Sequence, residues 1–109
     1  MIKVIILKDS QGDYKGFQIA GHAGYAESGK DIICAAVSML SINMINSVDS
    51  LTEDKFKAEQ DDMHGILKFK FTESVSKESK VLLDSLVLGL TQIENTYGSQ
   101  YIRILFKEV

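Results

Sequence analysis

The sequence predicts an α+β domain of two layers, a mostly antiparallel sheet with helices packed on it, in the order β-β-α-β-β-α-β. Three observations lead there. Short alternating or β-branched segments come in pairs joined by polar turns, the pattern of hairpins. Two longer stretches carry apolar residues at helical spacing, and each follows one of those pairs. A last alternating segment closes the chain. With 109 residues, the chain suffices for a single domain, 1–109, around one core.

Ile2 to Lys8 is rich in β-branched residues and ends at the turn cluster Asp9-Ser10-Gln11-Gly12-Asp13. Lys15 to Gly21 alternates, with Phe17 and Ile19 on one face, so the two segments form an antiparallel hairpin. The second strand delivers His22 to the edge of the sheet. A loop from His22 to Lys30 follows, and Gly24 and Gly29 give it conformations other residues lack. Asp31 to about Val48 is a helix, with Ile33, Val37, Leu40, Met44 and Val48 as its core stripe and Ala36 beside them. Two assignments fit its start: Ser28 with Asp31 as a capping box, or Asp31 itself as the N-cap. Asp31, Cys34, Ser38 and Ser41 fall on a second stripe, at spacings of three or four.

Polar residues from Asp49 to Asp54 end that helix. Lys55 to Glu59 and Leu67 to Phe71 alternate around Asp61-Asp62-Met63-His64-Gly65, a second hairpin. Ser74 or Ser76 caps a second helix that runs to about Tyr97, with Gly98 as its stop. Its apolar residues Leu82, Leu83, Leu86, Val87, Leu88, Leu90, Ile93 and Tyr97 cover an arc wider than one sheet contact needs. That width points to a second subunit. Gln100 to Lys107 is the last strand, with Ile102, Ile104 and Phe106 on one face.

Composition excludes several classes. Hydrophobic residues make up 45% and charged residues 25%, as in ordinary soluble domains. The formal charge of −3 and the lack of a basic stripe argue against a free-standing nucleic-acid binder. One cysteine cannot form an internal disulfide, which fits a reducing compartment, most simply the cytoplasm. The apolar start is short and interrupted by Lys3, Lys8 and Asp9, so it is a strand and not a signal peptide. No apolar run approaches the ~20 residues of a membrane span. The residues call for no cofactor and no metal. Asp61-Asp62-x-His64 has too few ligands and suits a solvated turn, and the glycines here do not form a nucleotide-binding fingerprint.

The chemistry concentrates between residues 21 and 38. Cys34 falls in the early turns of a helix, where N–H groups and the dipole favour a thiolate. A free cysteine is more commonly a small buried hydrophobe. His22, however, returns across a flexible loop, and its neighbours Gly21, Ala23 and Gly24 are too small to shield it. Together they suggest a Cys–His pair. Asp31 is mainly a helix cap, with a second role open to it in orienting His22. Ser38, one turn past Cys34, supports the site or merely packs. N–H groups of the helix start are the natural oxyanion donors.

The run Gly21-His22-Ala23-Gly24-Tyr25-Ala26, followed by Gly29-x-Asp31-Ile32-Ile33-Cys34-Ala35-Ala36-Val37-Ser38, resembles the signature of the bacterial ribosomal-processing cysteine protease family, Prp. Length and element order resemble that family over essentially the whole chain. The resemblance implies a catalytic dyad of His22 and Cys34 with Asp31 and Ser38 in support. Gly21, Ala23, Gly24, Tyr25 and Gly29 then belong to a substrate loop, and the stretch from Ala23 to Lys30 is expected to act as a lid. It also implies a homodimeric endopeptidase that removes the N-terminal extension of large-subunit ribosomal protein 27, cutting after a phenylalanine. Nucleic acid and membrane are not expected partners. Two other readings use the same chain differently: a non-catalytic ribosome-associated binding module or chaperone, and a dimerisation domain built on the second helix. An inert Cys34 would favour the first. Loss of a dimer without loss of activity would favour the second.

Overall fold

The computed structural model describes residues 1–27 and 30–109. Its elements follow the expected order: β1 (Ile2–Lys8), β2 (Tyr14–Ala20), α1 (Ile32–Leu51), β3 (Phe56–Asp61), β4 (Ile66–Phe71), α2 (Lys77–Tyr97) and β5 (Ile102–Glu108). The five strands form one sheet in the order β3-β4-β2-β1-β5. The pairs β1–β2, β2–β4 and β3–β4 are antiparallel, and β1–β5 is parallel. The parallel pair follows from connectivity. A strand–helix–strand connection returns the chain to the end where it began, so β5 runs in the direction of β4. β4 and β1 both oppose β2, so β5 lies parallel to β1.

One face of the sheet carries the core. Ile2, Val4 and Ile6 of β1, Phe17 and Ile19 of β2, Phe69 and Phe71 of β4, and Ile102 of β5 are buried in a single cluster with both helices. This alternation is the period of a half-buried strand. Phe17 and Phe69 stack at 5.3 Å between ring centroids, and Phe71 meets Phe69 edge-on at 4.9 Å.

α1 runs one turn further than its polar tail suggests. Asp49 and Ser50 remain helical, and Thr52 closes the helix through its N–H and hydroxyl, both donated to the Val48 carbonyl. Its buried face is Ile33, Val37, Ser41, Met44, Ile45 and Val48. Ser41, expected on the second stripe with Asp31, Cys34 and Ser38, therefore belongs to the core side, because it lies one turn beyond Val37. By length and composition α1 is apolar enough to cross a membrane, contrary to the expectation from the sequence. Here its buried face lies in the core cluster.

Ser76, not Ser74, caps α2, accepting from the Ser79 N–H. Asp54 decides between them. Its carboxylate accepts from the N–H and hydroxyl of Ser76 at 3.0 and 2.6 Å and from the buried Ser79 hydroxyl. Tyr14 of β2 likewise donates its hydroxyl to Asp84 of α2. Leu83, Leu86 and Leu90 fill the core, whereas Val81 and Leu88 are 60% and 68% exposed. On β5 the expected face divides: Ile102 is buried, Ile104 half-buried, and Phe106 exposed at the sheet edge under the Lys8 ammonium.

Candidate active site

β2 ends at Ala20, and Gly21 and His22 follow; because β2 is the central strand, His22 lies at a strand end in the middle of the sheet and not at its edge as expected. Because Ala20 is in register with Ile66, the turn between β3 and β4 lies alongside them. The Gly21 N–H donates to the Gly65 carbonyl at 2.9 Å. Cys34 arrives from the first turn of α1. His22 is exposed, Cys34 half-buried. Both line a cavity of about 140 Å³ that extends toward the sheet and the β3–β4 turn. Both also line a second depression of about 430 Å³ on the loop side, with Gly24, Ala26, Asp31 and Ser38. Among the described residues, no hydrogen bond joins His22 to Cys34.

The loop reaches the thiol through Ala23. That residue is buried, and its N–H points at the Cys34 Sγ at 3.3 Å. The next residues are held by Asp31. Its Oδ2 accepts from the N–H groups of Tyr25 and Ala26 at 3.0 and 3.4 Å. Its Oδ1 accepts from Ile33 and Cys34, both at 3.0 Å. Asp31 is thus the N-cap, and the same carboxylate fastens the loop to the helix. The Ser28 alternative and Gly29 lie outside the described residues. The Tyr25 ring, 43% exposed, meets Tyr97 and Tyr101 edge-on at 5.7 and 5.2 Å, which ties the loop to the end of α2.

One expectation is corrected here, and a second is narrowed. Position at the helix start does not give a low-pKa thiol. Burial pushes the Cys34 thiol up, the Ala23 N–H opposes that, and the Asp31 carboxylate adds to the rise. Three of the N–H groups at the helix start, expected as oxyanion donors, already have partners in the free protein. Ile33 and Cys34 give theirs to the Asp31 side chain, and Ala35 gives its own to the Asp31 carbonyl. Asp31 itself is buried, which raises its pKa, but the N–H groups of Cys34, Tyr25 and Ala26 outweigh burial and hold it below the usual carboxylate range. Its hydrogen bonds go to loop and helix amides, none to His22 among the described residues.

Ser38 is exposed and lines both depressions one turn past Cys34. His64 stays out of the site: its Nδ1 pairs with Asp61 Oδ2 at 2.7 Å, both side chains being largely exposed. Sequence reasoning missed the far wall of the inner cavity, which includes Gln60, Asp62, Gly65 and Leu67. Ser41, placed by its spacing on the stripe of Asp31 and Cys34, lines the inner cavity, and its buried hydroxyl has no hydrogen-bond partner among the described residues. No local spacing links residues 60–67 to Cys34; only the strand order β3-β4-β2 brings them together.

A family model described as cysteine protease Prp matches residues 1–103. The ribosomal processing cysteine protease Prp of Staphylococcus aureus strain Mu50 is 28% identical over 107 residues, covering 98% of this chain and 100% of that protein. The crystal structure of an essential ribosomal processing protease Prp from S. aureus with a covalently linked product peptide superposes with a TM-score of 0.92 at 28% identity. It covers 98% of this chain and 100% of that one. A second crystal structure of that protease, with a substrate peptide, gives a TM-score of 0.87 at 27% identity over the same shares.

Proposed function

Because this chain belongs to the cysteine protease Prp family and is a cysteine protease, we propose that its sole cysteine, Cys34, is the nucleophile and that His22 is its proton acceptor. The observation that carries this reading is that one thiol and one imidazole, from different elements, line the same two depressions. His22 takes the Cys34 proton as Sγ attacks a peptide carbonyl. The tetrahedral intermediate collapses as His22 returns that proton to the leaving amine. Water, activated by His22, then hydrolyses the thioester, releases the carboxylate and restores the thiol. The S. aureus protease holding a covalently linked product peptide supports covalent catalysis by likeness.

The electrostatics suit a nucleophile that ionises only as it reacts. A resting thiol that is half-buried, and that also lies beside the Asp31 carboxylate, resists ionisation, so loss of its proton is coupled to the arrival of substrate and imidazole. The Ala23 N–H, already aimed at sulfur, is the donor best placed for the oxyanion as charge moves to the carbonyl oxygen. Asp31 positions Cys34 and the Ala23–Ala26 segment through four amide hydrogen bonds. Ser38 supports the rim, and Gly21, Gly24 and Tyr25 shape the approach of the peptide.

The substrate that fits best is the N-terminal extension of large-subunit ribosomal protein 27, cut after a phenylalanine. Support comes from the motif spanning Gly21 to Ser38 and from relatives described as ribosomal processing proteases. We place the reaction in the cytoplasm, where ribosomal proteins are made and an unpaired thiol persists. The enzyme works as a homodimer, with the exposed Val81 and Leu88 of α2 in the contact. The deciding experiment incubates the extended ribosomal protein with the enzyme and its Cys34→Ser variant and sequences the new N-terminus. Cleavage elsewhere than after phenylalanine would refute the specificity.

A further inference from the structure

We propose that Gly65, in the turn between β3 and β4, is a positioning residue for His22; the inference rests on His22 being the proton acceptor described above. Three observations carry it. The Gly65 backbone is left-handed, with φ +61°, a conformation side chains resist. A Cβ built there would sit 3.0 Å from both Cε1 and Nε2 of His22 and 2.8 Å from the Gly21 carbonyl oxygen. The Gly65 carbonyl accepts the Gly21 N–H at 2.9 Å, immediately before the histidine. The hairpin therefore holds the backbone that carries the imidazole and leaves a space, one methyl group wide, into which the Cε1–Nε2 edge of the ring settles. A side chain at 65 pushes that edge away, and with it a ring nitrogen that must exchange a proton with Cys34. The β3–β4 turn, far from the helix in sequence, thus belongs to the catalytic geometry without supplying a reacting group.

The test compares two glycines. Gly12, in the β1–β2 turn, is also left-handed, with φ +82°, but a Cβ there meets nothing within 4 Å. Gly65→Ala and Gly12→Ala thus share the left-handed backbone and differ in the contacts with His22 and with the Gly21 carbonyl that precedes it. With the extended ribosomal protein as substrate, kcat of Gly65→Ala should fall by about tenfold or more at a KM within about twofold of wild type. Its pH–rate profile should shift on the limb set by His22, and so should the NMR titration of the His22 Hε1 proton. Gly12→Ala should lower the melting temperature through its left-handed backbone alone and keep its kcat and both titrations. If Gly65→Ala does not fold, Gly65→Asn replaces it, since asparagine tolerates left-handed backbone and carries the same Cβ. Folded Gly65 variants with wild-type kcat and an unmoved His22 titration would overturn the proposal, as would an equal loss of kcat in Gly12→Ala. His22→Ala separates the two readings. If it still cleaves at the wild-type rate, the proton-acceptor reading fails; if it is inactive while the Gly65 variants cleave normally, only the positioning role fails.

Discussion

At Cys34, opposing influences set the reactivity. Burial raises the thiol pKa most, the Ala23 N–H opposes it, and the Asp31 carboxylate adds to the rise, so the net direction is upward. The free enzyme should therefore alkylate with iodoacetamide more slowly than free cysteine at pH 7. Its reactivity should rise to a midpoint above the ordinary thiol value of about 8.5. Asp31→Asn removes the like charge and should move that midpoint down. Faster labelling of the wild type than of free cysteine at pH 7 would contradict this account. At this scale, His22, Cys34 and Asp31 were legible because their residue types and spacing lie within one continuous stretch. The direction of the thiol shift was not, because it depends on which amides the Asp31 oxygens take. Gly65 was hidden for a different reason: its partner, His22, is set beside it by strand pairing and not by chain proximity.

An aspartate braces the start of each helix: Asp31 as the N-cap of α1, and Asp54, from the loop before β3, behind the Ser76 cap of α2. Asp31 bonds amides of loop and helix, and Asp54 bonds Ser76 and Ser79 at the start of α2. Removing the Asp31 cap costs about 1 kcal/mol and also frees Tyr25 and Ala26. Asp31→Ala should therefore lower both melting temperature and kcat. Asp54→Ala strands the buried Ser79 hydroxyl, at a cost of about 1–3 kcal/mol, and should leave kcat of the folded fraction unchanged. Calorimetry and single-turnover rates on both variants check the division. Burial raises both carboxyl pKa values, but hydrogen bonds outweigh it and leave both depressed. Their stabilisation is complete above the unfolded carboxyl value of about 4. It is lost as pH falls through the lower folded values, so acid unfolding should be shallower in Asp54→Asn than in the wild type. Helix existence was readable from periodicity. The choice of Ser76 over Ser74 was not, since Asp54 settles it from the loop before β3.

Across the whole molecule, the two ββα units bring the β2 terminus, the α1 start and the β3–β4 turn together at one end of the strands. The element order and hairpins were legible because each strand pair is local. The strand order β3-β4-β2-β1-β5 and the parallel β1–β5 pair were not, since they depend on where each helix crosses the sheet. Val81 and Leu88 stand a helical repeat apart and face outward, so the protein should run as a dimer by light scattering at micromolar concentration. Leu88→Lys should shift it toward one chain, and a wild-type mass of one chain would refute the dimer. The central claim, that Cys34 attacks the peptide bond with His22 as its base, is tested most directly by intact mass spectrometry of a single turnover on the extended ribosomal protein. The account predicts a transient adduct on the wild-type enzyme, of the mass of the N-terminal product peptide joined as a thioester and mapped to Cys34, with no adduct and no cleavage by Cys34→Ser. Cleavage by Cys34→Ser at near the wild-type rate would contradict it.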